Sequence, residues 1–132
     1  MPKYFLHVAL ALVLLLGACA SEQRLEDLED TLNLYKTKLR WSSFDEVVRF
    51  RKEARTLALE DYQRLGNIRI TSYQEKQRIL TDDMLEVEQV VIIGFYDKES
   101  GKEHQVLDKQ IWKYDEDNQS WFLESDLPKF IP

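Results

Sequence analysis

Polar and apolar positions divide the chain into three regimes. Val8 to Leu16 is an unbroken apolar run. From Leu25 the pattern turns periodic. Leu25, Leu28, Leu32, Tyr35 and Leu39 recur at steps of three and four, which puts them on one helix face. Glu26, Asp27, Glu29, Asp30, Lys36, Lys38 and Arg40 fill the other faces, acids first and bases last, in the sense that suits the helix dipole. The stripe lasts under three heptads, which favours a helix packed on its own core over a coiled-coil seam. Ser43 and Glu46 have the spacing of a capping box and predict a second helix, with Val47, Val48 and Phe50 on its apolar face. A third, weaker helical stretch covers Ala54–Leu65, with Leu57, Tyr62 and Leu65 apolar, and stops at Gly66-Asn67.

Beyond Gly66 the period shortens to that of strands. Ile68–Leu80 is long and tolerant of β structure, and Thr81-Asp82-Asp83 reads as a turn. Met84–Tyr96 is the most apolar stretch after the leader. Val90-Val91-Ile92-Ile93 at its centre predicts a strand buried on both faces. Asp97 to Lys102 is a hairpin loop. Glu103–Tyr114 alternates, with Val106, Asp108, Gln110, Trp112 and Tyr114 on one face. Asp115 to Gln119 turns again, Ser120–Glu124 makes a short last strand, and the tail from Leu127 to Pro132 is expected along the surface. Helices followed by an antiparallel meander define an α+β class: N-terminal helices packed on a curved antiparallel sheet of about four strands.

Charge and cysteine usage narrow the function. Lys3 is the only charged side chain before Cys19, so the remainder holds 17 basic against 24 acidic residues, net −7. A body this acidic, with no basic stripe, argues against nucleic acid as a partner. Cys19 is the single cysteine, which excludes internal disulfides and thiolate metal clusters. His7 directly precedes the Val8–Leu16 run, leaving His104 as the one histidine beyond Cys19.

Lys3, the apolar run and the small residues after it have the form of an export signal, and the run is shorter than a bilayer core requires. Leu16-Gly17-Ala18-Cys19 resembles the bacterial lipobox. The alternatives are an ordinary secretory leader with an incidental cysteine, or a short membrane anchor. The resemblance implies that the Cys19 thiol receives a diacylglycerol, that the chain is cut before it, and that its new amine is acylated. Membrane lipid then becomes a partner through acylated Cys19, and the location is the bacterial cell envelope. Ala20 and Ser21 follow, with no Asp of the kind that marks inner-membrane retention in Gram-negative lipoproteins, so for a Gram-negative host the resemblance implies the outer membrane, facing the periplasm. The expected organisation is a leader over 1–18, a lipidated N-terminus and helix start over 19–30, and one α+β domain over 31–132.

The element order, with Leu39-Arg40-Trp41 before a helix, the run Asp108 to Asp115 and then Trp121-Phe122-Leu123, is similar to the NTF2-like, or cystatin-like, cone over roughly residues 31–126. It is also similar to a group of small proteobacterial lipoproteins. The cone implies a pocket between helices and sheet, in which Asp108, Gln110, Trp112 and Tyr114 would be the polar and aromatic lining. The other readings of Asp108 are a cross-strand bond, for instance to Arg69 or Lys76, or exposure on the outer face. A register slip of one residue reverses the facing.

His104 is expected in a water-exposed loop after Ser100-Gly101. Arg40-Trp41 is expected to close the first helix with a buried Trp, the alternative being a surface anchor for a partner. Tyr73, Phe95, Tyr96, Trp112 and Trp121 read as core and cross-strand packing. Asp82-Asp83 and Asp115/Asp117 read as solvated turns, the alternative being weak binding of a hard cation. No Gly-rich phosphate loop, nucleophilic triad or metal spacing is present, and no cofactor is implied. The expected function is therefore a non-enzymatic envelope lipoprotein that binds a protein or small ligand, with an NTF2-like pocket enzyme or binder using Asp108 as the alternative. An envelope protein, or a second copy docked through the open sheet face, would be its partner.

Overall fold

A computed structural model describes residues 2–53 and 58–130. Helix α1 runs from Pro2 to Trp41 without a break, through the leader, Cys19 and the Leu stripe. Two short helices follow, α2 (Phe44–Val48) and α3 (Leu59–Gly66). Four strands complete the chain: β1 (Ile68–Leu80), β2 (Glu86–Asp97), β3 (Glu103–Asp115) and β4 (Ser120–Leu123). They form one antiparallel meander in the order β1-β2-β3-β4. The class is α+β, with the N-terminal helix packed on the sheet.

The stripe on α1 explains the packing. Leu28, Leu32, Tyr35 and Leu39 are buried in the core, and Leu25 is half-buried at its edge. They meet Val87, Val91, Ile93, Phe95, Trp112, Trp121 and Leu123 from the sheet. Each such side chain removed from water contributes about 1.5–3 kcal/mol, set against the chain entropy lost on ordering it. The stripe thus serves its own domain. By contrast, the described side chains from Lys3 to Ala20 are exposed. The packed body starts after this stretch, whose described side chains contribute nothing to the core. The leader half of α1 is long and apolar enough to cross a membrane by length and composition, a property that signal sequences share.

Curvature comes from β1, whose register against β2 shifts between Ile70 and Ser72 and again between Glu75 and Gln77. Bulges of this kind bend a strand and increase its twist. At the first shift Gly94 lies so close to Ser72 that a Cβ would meet the serine Oγ, so any larger residue here requires the Ser72 side chain to move. Beyond α2, the Phe50 carbonyl accepts from the Leu123 amide at 2.8 Å, and Arg51 pairs with Leu123. This segment covers the free edge of β4.

Five expectations need correction. Strand β2 is buried on one face only. Val90 and Ile92 on the other face are half-buried, because among the described residues no helix packs on that side. The tail is not a surface strap. Phe130 is fully buried against Phe44 and Phe95, closing the gap between α2 and the sheet. The capping box does not form. Ser43 makes no side-chain cap bond, and Glu46 instead meets Lys38 at 2.7 Å. The third helix begins later than expected, at Leu59, with Tyr62 exposed; Leu57, assigned to its apolar face, lies outside the described residues. Finally, Trp41 is 69% exposed. It follows Leu39 by two positions and so points away from the face that the helix buries.

Candidate functional site

Cys19 sits on the exposed leader half of α1 as a free thiol, with Gly17, Ala18 and Ala20 beside it also exposed. Five residues on, α1 is tied to the body. The Arg24 carbonyl accepts from Trp121 Nε1 at 2.9 Å, and its guanidinium lies 5.0 Å from the Tyr114 ring centre and donates to the Asp83 carbonyl at 3.3 Å. Farther along the helix, Glu29 meets Arg78, which also bonds Glu75 at 2.8 Å. At 1.5 Å per residue, Cys19 is about 7.5 Å of helix from the first anchored residue.

The four residues expected to line a pocket do share the sheet face that α1 covers, but the first three are packed into the core. Asp108 is 6% exposed, and Gln110 and Trp112 are fully buried. Gln110 organises them. Its Nε2 donates to Asp108 Oδ2 at 2.7 Å and to the Tyr73 hydroxyl at 3.0 Å. Its Oε1 accepts from Trp112 Nε1 at 3.0 Å. Tyr35 from α1 packs edge-on to Trp112 at 5.2 Å, filling the space that a ligand would need. Tyr114 is half-buried and packs on Trp121 at 5.4 Å, under Arg24. The partner of Asp108 is therefore Gln110, two residues along the same strand, and neither Arg69 nor Lys76. Tyr35 and Tyr73 belong to this cluster but read as plain core from sequence: Tyr35 packs on Trp112 and the Tyr73 hydroxyl bonds Gln110, contacts between positions distant in the chain.

Burial sets the titration of this cluster. Desolvation pushes the Asp108 carboxyl up to about 6, against a smaller opposing effect from the Gln110 bond. Desolvation likewise carries Tyr73 up to about 12 and raises Tyr35 well above the ordinary phenol value, with the nearby Asp108 charge adding to both. An acid held above its unfolded value of 3.8 is protonated more readily in the folded chain. Its stabilising protonated state is complete below about pH 4 and is lost as pH rises through about 6. Two pK units correspond to about 3 kcal/mol. Asp108→Asn is therefore expected to match wild type in stability near pH 4 and to exceed it by about 2–3 kcal/mol at pH 7.5. Urea unfolding of both chains across that range checks this, and a difference that stays flat with pH would refute it. The Tyr35 hydroxyl is buried without a hydrogen-bond partner among the described residues. Tyr35→Phe is expected to cost nothing and to gain up to about 1 kcal/mol, measurable in the same titration.

His104 is on β3, half-buried, and stacked on Phe95 at 5.4 Å, so it is not in an exposed loop. The strand simply begins one residue before it, at Glu103. The turn acids hold their own backbone: Asp83 accepts from Thr81 Oγ1 at 2.6 Å and the Leu85 amide at 3.0 Å, and Asp115 accepts from the Asp117 amide at 3.0 Å and Asn118 Nδ2 at 2.9 Å. These bonds hold both carboxyls below the usual carboxylate range.

No family model matches the chain, and no curated protein or solved structure matches it.

Proposed function

We propose that this protein is a bacterial envelope lipoprotein, carried on the membrane by lipid on Cys19, with the small α+β body acting as a non-enzymatic binding module. The observation that carries the reading is the sequence Leu16-Gly17-Ala18-Cys19 at the end of an apolar leader, with the sole thiol of the chain free and exposed there. The exposure of the leader supports it: cutting before Cys19 removes side chains that stabilise nothing else. The order of helices before a curved meander supports an NTF2-like relationship, in a form whose concave face is filled by Tyr35, Trp112 and Gln110. The filled face also favours binding over catalysis at Asp108, since a general base must reach its substrate.

The test is the mass of the N-terminal peptide from protein purified out of native membranes. It should begin at Cys19 and carry diacylglycerol with an added acyl chain. An unmodified Cys19 in a chain that keeps residues 1–18 would end the proposal.

A further inference from the structure

The end of the body away from Cys19 contains a cavity of about 290 Å³. It lies where the C-terminal end of α1, α2, α3 and the start of β1 meet. Arg40 is 21 residues past Cys19, so this end of the helix is about 31 Å from the thiol. Leu39, Phe44, Tyr62, Leu65, Ile68 and Ile70 supply apolar and aromatic walls. The charged lining is Arg40, Arg69 and Lys98 against Asp45, a local excess of cations in a chain of net charge −6.

Two of these cations are held in place while keeping donors free. Arg40 lies 5.4 Å from the centre of the exposed Trp41 ring, and its Nε is buried with no hydrogen-bond partner among the described residues. That nitrogen is covered by protein, so an incoming anion would be met by the two terminal guanidinium nitrogens, whose parallel N–H groups suit a carboxylate. Lys98 Nζ donates to the Gly66 carbonyl at 3.1 Å, which fixes the ammonium at the end of α3 and leaves its other hydrogens available.

We propose that this cavity binds a small organic carboxylate with an apolar body, its carboxylate at Arg40 and Lys98 and its hydrocarbon against Phe44, Leu65 and Ile70. The volume is at the small end for ligand sites and suits about ten non-hydrogen atoms. The apolar walls disfavour a phosphate dianion, which would lose its hydration against hydrocarbon. The site goes beyond the membrane-anchor reading and does not depend on it. Its position at the end opposite the lipid leaves it open to the aqueous side.

The test uses residues 20–132, whose core is complete without the leader, in nuclear magnetic resonance titrations with octanoate, octanamide and inorganic phosphate. Octanoate should shift amides of residues 39–45, 62–70 and 98 saturably, and octanamide, equal in size but uncharged, should bind about ten-fold more weakly. Arg40→Gln and Lys98→Met should each weaken octanoate about ten-fold, equivalent to roughly 1.4 kcal/mol. Lys98→Met keeps the site testable if the Arg40 variant fails to fold. Equal affinity for octanamide, phosphate binding as tight as octanoate, shifts confined to other residues, or no saturable shift below about 10 mM would each overturn the proposal.

Discussion

Trp112→Ala is expected to be the most destabilising single substitution in the body, at about 3–5 kcal/mol, the range for truncating a buried aromatic. Trp112 has no exposed surface. Its ring edges meet Tyr35 at 5.2 Å and Phe50 at 6.2 Å, so truncation opens a void bounded by α1, the segment after α2 and the sheet at once. The loss is also polar. Trp112 Nε1 is the closest donor to Gln110 Oε1, and without it that buried oxygen keeps only a long contact from Tyr73. Leaving a buried acceptor short of a partner costs about 1–3 kcal/mol, which places this substitution toward the upper end of the range of about 3–5 kcal/mol. Two controls separate the components. Trp112→Phe keeps most of the volume and loses the donor, and should cost clearly less than the alanine. Trp41→Ala removes the same side chain from a position 69% exposed and should stay within about 0.5 kcal/mol of wild type. Urea midpoints at constant slope measure all three. A cost below about 1.5 kcal/mol for Trp112→Ala would mean that the contacts around it do not hold the fold.

The contrast between these tryptophans marks how far the sequence could be read. Periodicity found the buried stripe of α1 and the order of strands, because both depend on spacing along one element. It missed what depends on two elements meeting. Trp41 was expected inside because it follows an apolar helix, yet the helix rotates 200° between Leu39 and Trp41 and turns it to water. Phe130 was expected outside because a Pro-flanked tail has no period, yet it fills a gap that only the docking of α2 creates. The alternation in β3 correctly grouped Asp108, Gln110, Trp112 and Tyr114, and their chemistry was still undecidable. Their facing depends on register, and whether the face is open or filled depends on Tyr35, 73 residues from Asp108. The cavity at Arg40 was invisible for the same reason, since its lining comes from three stretches of chain, 39–45, 62–70 and Lys98.

Cys19→Ala is expected to have the largest effect on where the protein resides. If Cys19 carries two or three acyl chains, each buried methylene contributes about 0.8 kcal/mol, so two chains suffice for stable anchoring where one is marginal. The rest of the molecule cannot replace that energy. In the meander the β1–β2 and β3–β4 turns fall at the same end, the end at which Arg24 is tied to Asp83 and Tyr114. That end faces the anchor, and its turns carry Asp82, Asp83, Glu116 and Asp117, with Asp115 at the last position of β3 paired to Lys52 at 3.6 Å. Anionic headgroups repel such a surface over a Debye length of about 8 Å, comparable to the 7.5 Å of helix between Cys19 and Arg24. On the proposed reading, the attraction comes from lipid on Cys19. Wild type should stay in the membrane pellet through high-salt washing and leave only with detergent, with residues 1–18 absent. The alanine variant should lack the acyl mass and keep residues 1–18, since the cut follows lipidation. Residues 20–132 alone should remain in the aqueous phase, even with vesicles rich in anionic lipid. Membrane binding by that last fragment would show that the body itself holds lipid, and the thiol would lose its place as the anchor.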